Sequence, residues 1–203
     1  MIPKRIIYCW FGDKEPSDKV KECMNTWNIH EGWEILRIDE SNFDLNYNNF
    51  VKEAYEKKAY AFVSDVARLW ALYNYGGVYM DTDVMVYKPL DKFLKHNFFT
   101  GFEQPNYPVC ATMGAVKGNP LIKEMLEAYK DRTFKLCDNW KDYETNTMIM
   151  SEILGKYFDR NKVEYQEINN MAIYPQEVFT NRLLTQKEES YTEHLMFGNW
   201  IQK

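Results

Sequence analysis

The chain has 203 residues, of which 45% are hydrophobic, so it is long enough for one domain with a substantial core and short for two. Its net charge of -5 disfavours a broad nucleic-acid-binding surface, and no apolar run approaches the length of a membrane span. The four cysteines, Cys9, Cys23, Cys110 and Cys137, lack the spacing of a zinc site, so we expect reduced thiols and a cytoplasmic protein.

The N-terminal part alternates predicted strands and helices. A run of Ile, Tyr, Cys, Trp and Phe at 5–11 predicts a buried strand. Residues 16–28 predict a helix, with Ser17 or Asp18 as its cap, and 33–38 predict a second strand. Because strand, helix and strand follow one another, the order favours the α/β class, with a parallel sheet and crossover helices.

Two further helices are predicted at 50–57 and 60–75. In the second helix, apolar residues at the helical period predict a stripe that faces the core: Phe62, Val66, Leu69, Trp70 and Tyr73. Asp65 and Arg68 lie off that stripe, three residues apart on a neighbouring face. A surface salt bridge is the ordinary alternative to a functional role for this pair.

The most informative stretch is 76–83, with the sequence Gly-Gly-Val-Tyr-Met-Asp-Thr-Asp. Its two glycines end the preceding helix, since glycine accepts the left-handed conformation that follows a last helical turn. In a strand over 78–84, alternation sends Tyr79, Asp81 and Asp83 to one face. Two such carboxylates can bind a divalent cation, although the same spacing also occurs on solvated strand edges.

The C-terminal part continues the alternation of strands and helices. Strands are predicted at 97–103 and 109–116, and the Gly-Asn-Pro that follows opens a helix over 121–130. A further helix is predicted at 144–154, and 172–179 predicts a short strand or extended segment. The pattern contains no internal repeat and no low-complexity linker, which again favours one domain.

The stretch 64–83 closely resembles glycosyltransferase family 32, the group with the Asp-x-Asp sugar-binding region. Residues 2–12 resemble the first strand of that family, and the Gly-Asn-Trp at 198–200 resembles its terminal Gly-Ser-Trp. The resemblance implies a single domain over 1–203 with a GT-A type, Rossmann-like fold, in which helices flank a mixed, mainly parallel sheet.

The resemblance also implies an activity. It is the retaining, metal-dependent transfer of a hexose or N-acetylhexosamine from a UDP-sugar, with Mn²⁺ or Mg²⁺, to a saccharide or lipid-linked saccharide acceptor in capsular or exopolysaccharide synthesis. The same resemblance suggests a position at the inner face of a membrane, with peripheral membrane contact as an open possibility. The sequence does not indicate an oligomeric state.

Single residues receive roles through this resemblance. Trp10 matches the aromatic residue that stacks on the nucleotide base, and Tyr79 matches the one that lines the nucleoside. Asp65 and Arg68 match the pair that holds the donor sugar and its phosphate side. Asn146 stands where the family places a polar residue that faces the sugar, with helix capping as the alternative role.

The remaining roles concern the metal and the diphosphate. Asp81 would contact ribose and sugar, or the metal through water, and Asp83 would ligate the metal directly. The family usually ends in a histidine pair, of which this chain keeps His194; it would be a further metal ligand, and an ordinary polar contact is the alternative. Asn199 would contact phosphate, and Trp200 would close over the donor as part of a mobile lid.

Elementary chemistry is consistent with these roles. A metal that bridges the diphosphate stabilises the charge that develops on the leaving group, and the diphosphate supplies the ligands that two carboxylates lack. No pair of acids with glycosidase-like roles can be selected from the sequence, which favours front-face transfer, in which the leaving phosphate accepts the proton of the acceptor.

Two other functions stay open. The first is a non-catalytic nucleotide-sugar-binding protein, in line with the altered C-terminal motif. The second is a phosphatase of the haloacid-dehalogenase type, which uses the first Asp of an Asp-x-Asp motif as its nucleophile. In such phosphatases the fifth motif position is Thr or Val, whereas here it is Met85.

Overall fold

The computed structural model describes residues 1–108, 111–135, 144–180 and 190–197. The α-helices of these residues are α1 (Asp18–Asn25), α2 (Asn49–Glu56), α3 (Tyr60–Tyr75), α4 (Pro120–Glu127), α5 (Asn146–Leu154) and α6 (Gln176–Phe179). The strands are β1 (Arg5–Cys9), β2 (Glu34–Ile38), β3 (Gly77–Met80), β4 (Val84–Val86), β5 (Phe98–Gln104), β6 (Tyr107–Pro108), β7 (Thr112–Ala115), β8 (Gln166–Ile168), β9 (Met171–Tyr174) and β10 (Thr192–His194).

The main sheet has the strand order β2-β1-β3-β7-β5-β9-β8, and β6 pairs with β5. Strand β1 is parallel to β2 and β3, and β5 is parallel to β9. Strand β7 is antiparallel to both β3 and β5, so β2, β1, β3, β5 and β9 all run in one direction. The predicted mixed α/β sheet flanked by helices is confirmed, and the carboxyl ends of those five strands meet at one edge.

Hydrophobic side chains pack on both faces of this sheet. Ile7 and Tyr79 belong to one buried cluster, which also takes in the apolar stripes of α3 and α4. Ile6 and Val78, their neighbours along the same strands, belong to a second cluster with residues of β4 and α6. Because adjacent strand residues point to opposite faces, the two clusters lie on opposite sides of the sheet.

The prediction of a continuous strand over 78–84 is wrong. Strand β3 ends at Met80, and a turn follows in which the N–H of Val84 donates to the carbonyl of Asp81 at 3.1 Å. Strand β4 then leaves the main sheet and pairs antiparallel with β10, so that Val84 lies opposite His194. The turn therefore brings Asp83 to a C-terminal histidine that a straight strand could not reach.

Other predicted elements are confirmed with shifted ends. Helix α1 has Ser17 as its N-cap, but it ends at Asn25, and a 3-10 turn follows over Thr26–Ile29. The predicted strand at 109–116 is observed as β7, while residues 109 and 110 lie outside the described part. None of the helices within the described ranges combines the length and the apolar character that crossing a bilayer requires.

The turn from α3 into β3 depends on glycine. Gly76 has a φ of 68°, and a Cβ built there would lie 2.6 Å from the backbone nitrogen of Lys117. Gly32 has a similar φ of 74°, but no described atom lies within 4 Å of a Cβ at that position. The two glycines thus share the same backbone preference and differ in the space around them.

We therefore expect Gly76→Ala to destabilise the fold more than Gly32→Ala. The change at Gly32 adds only left-handed strain, about 1–2 kcal/mol. The change at Gly76 adds a clash with backbone and should cost roughly 2 kcal/mol more. Urea unfolding of both variants measures the difference, and equal losses of stability would contradict the steric role of Gly76.

Candidate active site

A cluster of polar side chains lies at the edge of the sheet where β3 ends, between α3, α5 and β10. Helix α3 contributes Asp65 and Arg68, and the turn after β3 contributes Asp81 and Asp83. The cluster exists because α3 turns directly into β3, which sets the helix face that carries the first pair against the residues that follow the strand.

Arg68 is the centre of the first half of this cluster. Its Nη2 lies 3.0 Å from Asp65 Oδ1 and 3.4 Å from Asp81 Oδ1, and its Nε donates to the carbonyl of Ser64 at 3.2 Å. The side chains of Arg68 and Asp65 are only 8% and 14% exposed. The surface salt bridge considered from the sequence is therefore wrong, since the pair is buried.

Tyr79 contacts both Arg68 and Asp81. The Arg68 guanidinium carbon lies 4.7 Å from the centre of its ring, and its hydroxyl donates to Asp81 Oδ1 at 2.6 Å. Burial raises the pKa of Tyr79, so the phenol keeps its proton and acts as a donor. Because the residue is only 1% exposed, it orients Asp81 and Arg68; its predicted contact with a nucleoside stays a prediction.

Asn146 lies on the other side of Asp65. Its Nδ2 donates to Asp65 Oδ1 at 2.9 Å, while Thr145, and not Asn146, caps α5 by accepting the N–H of Met148. Helix capping by Asn146, the alternative considered from the sequence, is thus wrong. Its own Oδ1 is buried and has no hydrogen-bond partner among the described residues, so the amide offers an acceptor to a ligand.

The ionisation of Asp65 reflects its burial. Burial raises the pKa of Asp65 to about 6, although the charge of Arg68 and the hydrogen bond from Asn146 act in the opposite direction. The negative charge of Asp81 adds to the rise. A buried ion pair adds little to stability on balance because two charges leave water, so its presence at a sheet edge suggests a functional role.

The second half of the cluster is a set of three possible metal ligands. One ligand atom each of Asp81, Asp83 and His194 lies within 4.8 Å of the others. His194 Nε2 is 3.3 Å from Asp83 Oδ1, and the backbone N–H of Phe197 donates to Asp83 Oδ2 at 3.0 Å. The Nδ1 of His194 is buried and without a partner among the described residues. Two carboxylates and one imidazole that converge in this way fit a divalent cation.

Asp83 is ionised in this setting. Burial acts to raise its pKa, but the hydrogen bond and the charge of His194, with the N–H of Phe197, bring the pKa of Asp83 below its usual value. Burial acts to lower the pKa of His194, but the hydrogen bond with Asp83 and the charges of Asp81 and Asp83 raise it. The carboxylates thus attract a positive charge to this point, which a proton or a metal ion can supply.

The structure brings together most of the residues selected from the sequence: Asp65, Arg68, Tyr79, Asp81, Asp83, Asn146 and His194. Trp10 follows β1 at the same edge and is half-buried, and its indole N–H donates to the carbonyl of Lys14 at 2.8 Å rather than joining the cluster. Asn199 and Trp200 lie outside the described residues. The N–H of Phe197 was missed, because a backbone contact leaves no signal in the sequence.

Residues 13–100 match the family model described as the glycosyltransferase sugar-binding region containing the DXD motif. This region of the chain is similar to glycosyltransferases of the family 32 type. It is 36% identical over 107 residues to inositol phosphoceramide mannosyltransferase 1 of Schizosaccharomyces pombe. That alignment covers 48% of this chain and 33% of the relative, so the chain matches only about a third of the relative's length.

Two solved structures share the fold of this chain. The PaToxG glycosyltransferase superposes with a TM-score of 0.56 and 18% identity, over 76% of this chain and 68% of that one. A glycosyltransferase involved in the glycosylation of the major capsid of PBCV-1 gives 0.54 and 12%, over 96% of this chain and 94% of that one. At such identities the likeness concerns the fold alone, and the predicted GT-A type fold is confirmed.

Proposed function

We propose that this chain is a metal-dependent, retaining glycosyltransferase that moves a hexose or N-acetylhexosamine from a UDP-sugar to a saccharide or lipid-linked saccharide acceptor. The observation that carries the proposal is the convergence of Asp81, Asp83 and His194 beside the buried pair of Asp65 and Arg68. Capsular or exopolysaccharide synthesis is the proposed setting. The relative named as a mannosyltransferase supports a hexose.

Asp81, Asp83 and His194 would hold Mn²⁺ or Mg²⁺. When bound, such an ion neutralises charge on the diphosphate oxygens and so stabilises the leaving group. Arg68 adds a fixed positive charge at the same place, since Asp65, Asp81 and the ring of Tyr79 fix its guanidinium. A preorganised cation needs no rearrangement as negative charge develops, which is the condition for effective electrostatic catalysis.

The sugar would lie against Asp65 and Asn146. The Oδ1 of Asn146, which has no partner in the described part of the chain, can accept a hydrogen bond from a sugar hydroxyl, and the Asp65 carboxylate can accept another. Such contacts hold the sugar in one orientation relative to the diphosphate and so reduce the entropy of the reacting complex. Asp65 is held by Arg68 and Asn146, so it orients the sugar more readily than it attacks it.

Retention is proposed to follow from front-face transfer. The acids of the cluster are already engaged, Asp65 and Asp81 with Arg68 and Asp83 with His194. In the proposed step the acceptor hydroxyl attacks the anomeric carbon on the side that the diphosphate leaves. The bond from that carbon to the phosphate oxygen breaks, and the same oxygen takes the hydroxyl proton.

A donor screen tests the proposed function. The chain is heated with UDP-, GDP- and dTDP-sugars, each with and without Mn²⁺, and hydrolysis of the donor is followed without acceptor. We expect metal-dependent stabilisation by a UDP-sugar, about 2.7 kcal/mol at a hundredfold excess over Kd, together with slow hydrolysis. Stabilisation by a GDP-sugar instead would overturn the choice of base. Donor binding without turnover would favour the non-catalytic alternative. Donor binding that does not depend on Mn²⁺ would contradict the proposed metal centre.

A further inference from the structure

Glu103 is an acidic residue whose charge acts on His194, and it is not one of the residues of the polar cluster. It is the second-last residue of β5, which runs in the direction of β3 and so ends at the same edge of the sheet. Its side chain is half-buried and forms no hydrogen bond or ion pair with any residue in the described ranges. A half-buried carboxylate without a protein partner has oxygens available to accept a hydrogen bond from a neighbouring donor.

The backbone of Glu103 is irregular at this point. Phe102 pairs with Pro108 and Gln104 pairs with Tyr107, so Glu103 is an extra residue in the ladder between β5 and β6. Bulges of this kind redirect a side chain and are frequent beside active sites. The side chain of Glu103 therefore does not have to follow the regular alternation of side chains along β5.

His194 lies near Glu103 through a short chain of contacts. The Thr180 hydroxyl donates to the carbonyl of Phe102 at 3.4 Å, and the N–H of His194 donates to the carbonyl of Thr180 at 3.4 Å. The negative charge of Glu103 is among those that raise the pKa of His194, against the larger effect of burial. Glu103 is not one of the three residues whose ligand atoms lie within 4.8 Å of one another, so it is not a candidate metal ligand itself.

His194 needs an acceptor at this position if it binds a metal. Ligation through Nε2, the nitrogen that faces Asp83, requires the proton to be on Nδ1. That atom is buried and has no partner within the described ranges, and a buried N–H without an acceptor costs about 1–3 kcal/mol. Metal-binding histidines commonly give this proton to a carboxylate, which fixes the ring and its tautomer.

We propose that Glu103 accepts the Nδ1–H of His194, directly or through one water, when His194 holds a divalent cation through Nε2. Glu103 is then a positioning residue of the metal centre, since it acts through His194 and does not touch the donor. The inference rests on the proposed function, because it takes His194 as a metal ligand. It adds a residue from β5 to a site that otherwise draws its ligands from the turn after β3 and from β10.

The test compares three variants of the whole chain. Glu103→Ala removes the acceptor, Glu103→Gln keeps an oxygen that can accept, and Glu193→Gln removes a charge next to His194 in the chain. Glu193 is the matched control because its carboxylate already accepts the hydroxyl of Tyr87. The dissociation constant of Mn²⁺ is measured by calorimetry in the presence of UDP, and the His194 tautomer by nitrogen NMR with UDP and the diamagnetic ion Mg²⁺ bound.

We expect Glu103→Ala to weaken Mn²⁺ binding about tenfold or more, and to reduce the share of the Nδ1–H tautomer. The Mn²⁺ affinity of Glu103→Gln should lie between those of Glu103→Ala and the parent. This variant also tests the role of Glu103 if the alanine variant does not fold. Glu193→Gln should leave both readings unchanged. Parent-like Mn²⁺ affinity in Glu103→Ala and Glu103→Gln would overturn the role of Glu103.

His194→Ala separates this outcome from failure of the proposed function. If His194→Ala weakens Mn²⁺ binding and the Glu103 variants do not, only the role of Glu103 is overturned. If His194→Ala also binds Mn²⁺ like the parent, His194 is not a ligand, and the metal centre of the proposed function must be revised as well.

Discussion

Replacement of Asp83 by asparagine is expected to lower kcat/KM about 100- to 1000-fold and to remove the metal dependence of donor binding. The reason is that an asparagine side chain is neutral, whereas the Asp83 carboxylate supplies the charge that holds a cation together with Asp81 and His194. The amide keeps an oxygen that can accept the N–H of Phe197, so the fold should be preserved. Donor hydrolysis measured over a range of Mn²⁺ concentrations gives both quantities.

Asp91→Asn is the matched control for this change. Asp91 forms an ion pair with Lys4 at 2.8 Å, and its side chain is 44% exposed. The substitution removes the same charge from the chain without touching the cluster, so activity should equal that of the parent. If Asp83→Asn were as active as Asp91→Asn, the assignment of Asp83 to the metal centre would fail.

The part of the fold that could be predicted is the part with local signals. Strand β1, helix α3 and the paired glycines are each visible within a few residues, and their order predicts the parallel start of the sheet. The pairing of β4 with β10 could not be predicted, because Val84 and His194 are far apart in the chain. Strand propensity does not specify a partner, and three residues give too short a pattern.

The site was predictable as a list of residues and not as an arrangement. The sequence places Asp65 and Arg68 off the apolar stripe of α3, where helical periodicity indicates a surface. Their burial arises because Asn146 on α5 and Asp81 after β3 cover that face of the helix. Periodicity describes one helix at a time, so it cannot reveal what a later segment places against it.

Removal of the Arg68 side chain distinguishes a functional ion pair from a structural one. We expect Arg68→Met to destabilise the chain by about 3–5 kcal/mol, because it leaves the Asp65 carboxylate buried without its cation. Combining it with Asp65→Asn removes that unpaired charge, so most of the stability should return. Urea unfolding of both variants measures this recovery.

Catalysis should not recover in the double variant. It would lack both the fixed positive charge beside the diphosphate and the carboxylate that orients the sugar, so donor hydrolysis should stay about 100-fold or more below that of the parent. Arg68→Lys provides the control for charge alone: lysine keeps the positive charge but cannot bridge Asp65 and Asp81 while lying on the ring of Tyr79. A double variant with parent stability and parent activity would show that the pair serves neither purpose. Stability that returns without activity is the result expected of a pair kept for its chemistry, since the fold alone has no need of two buried charges.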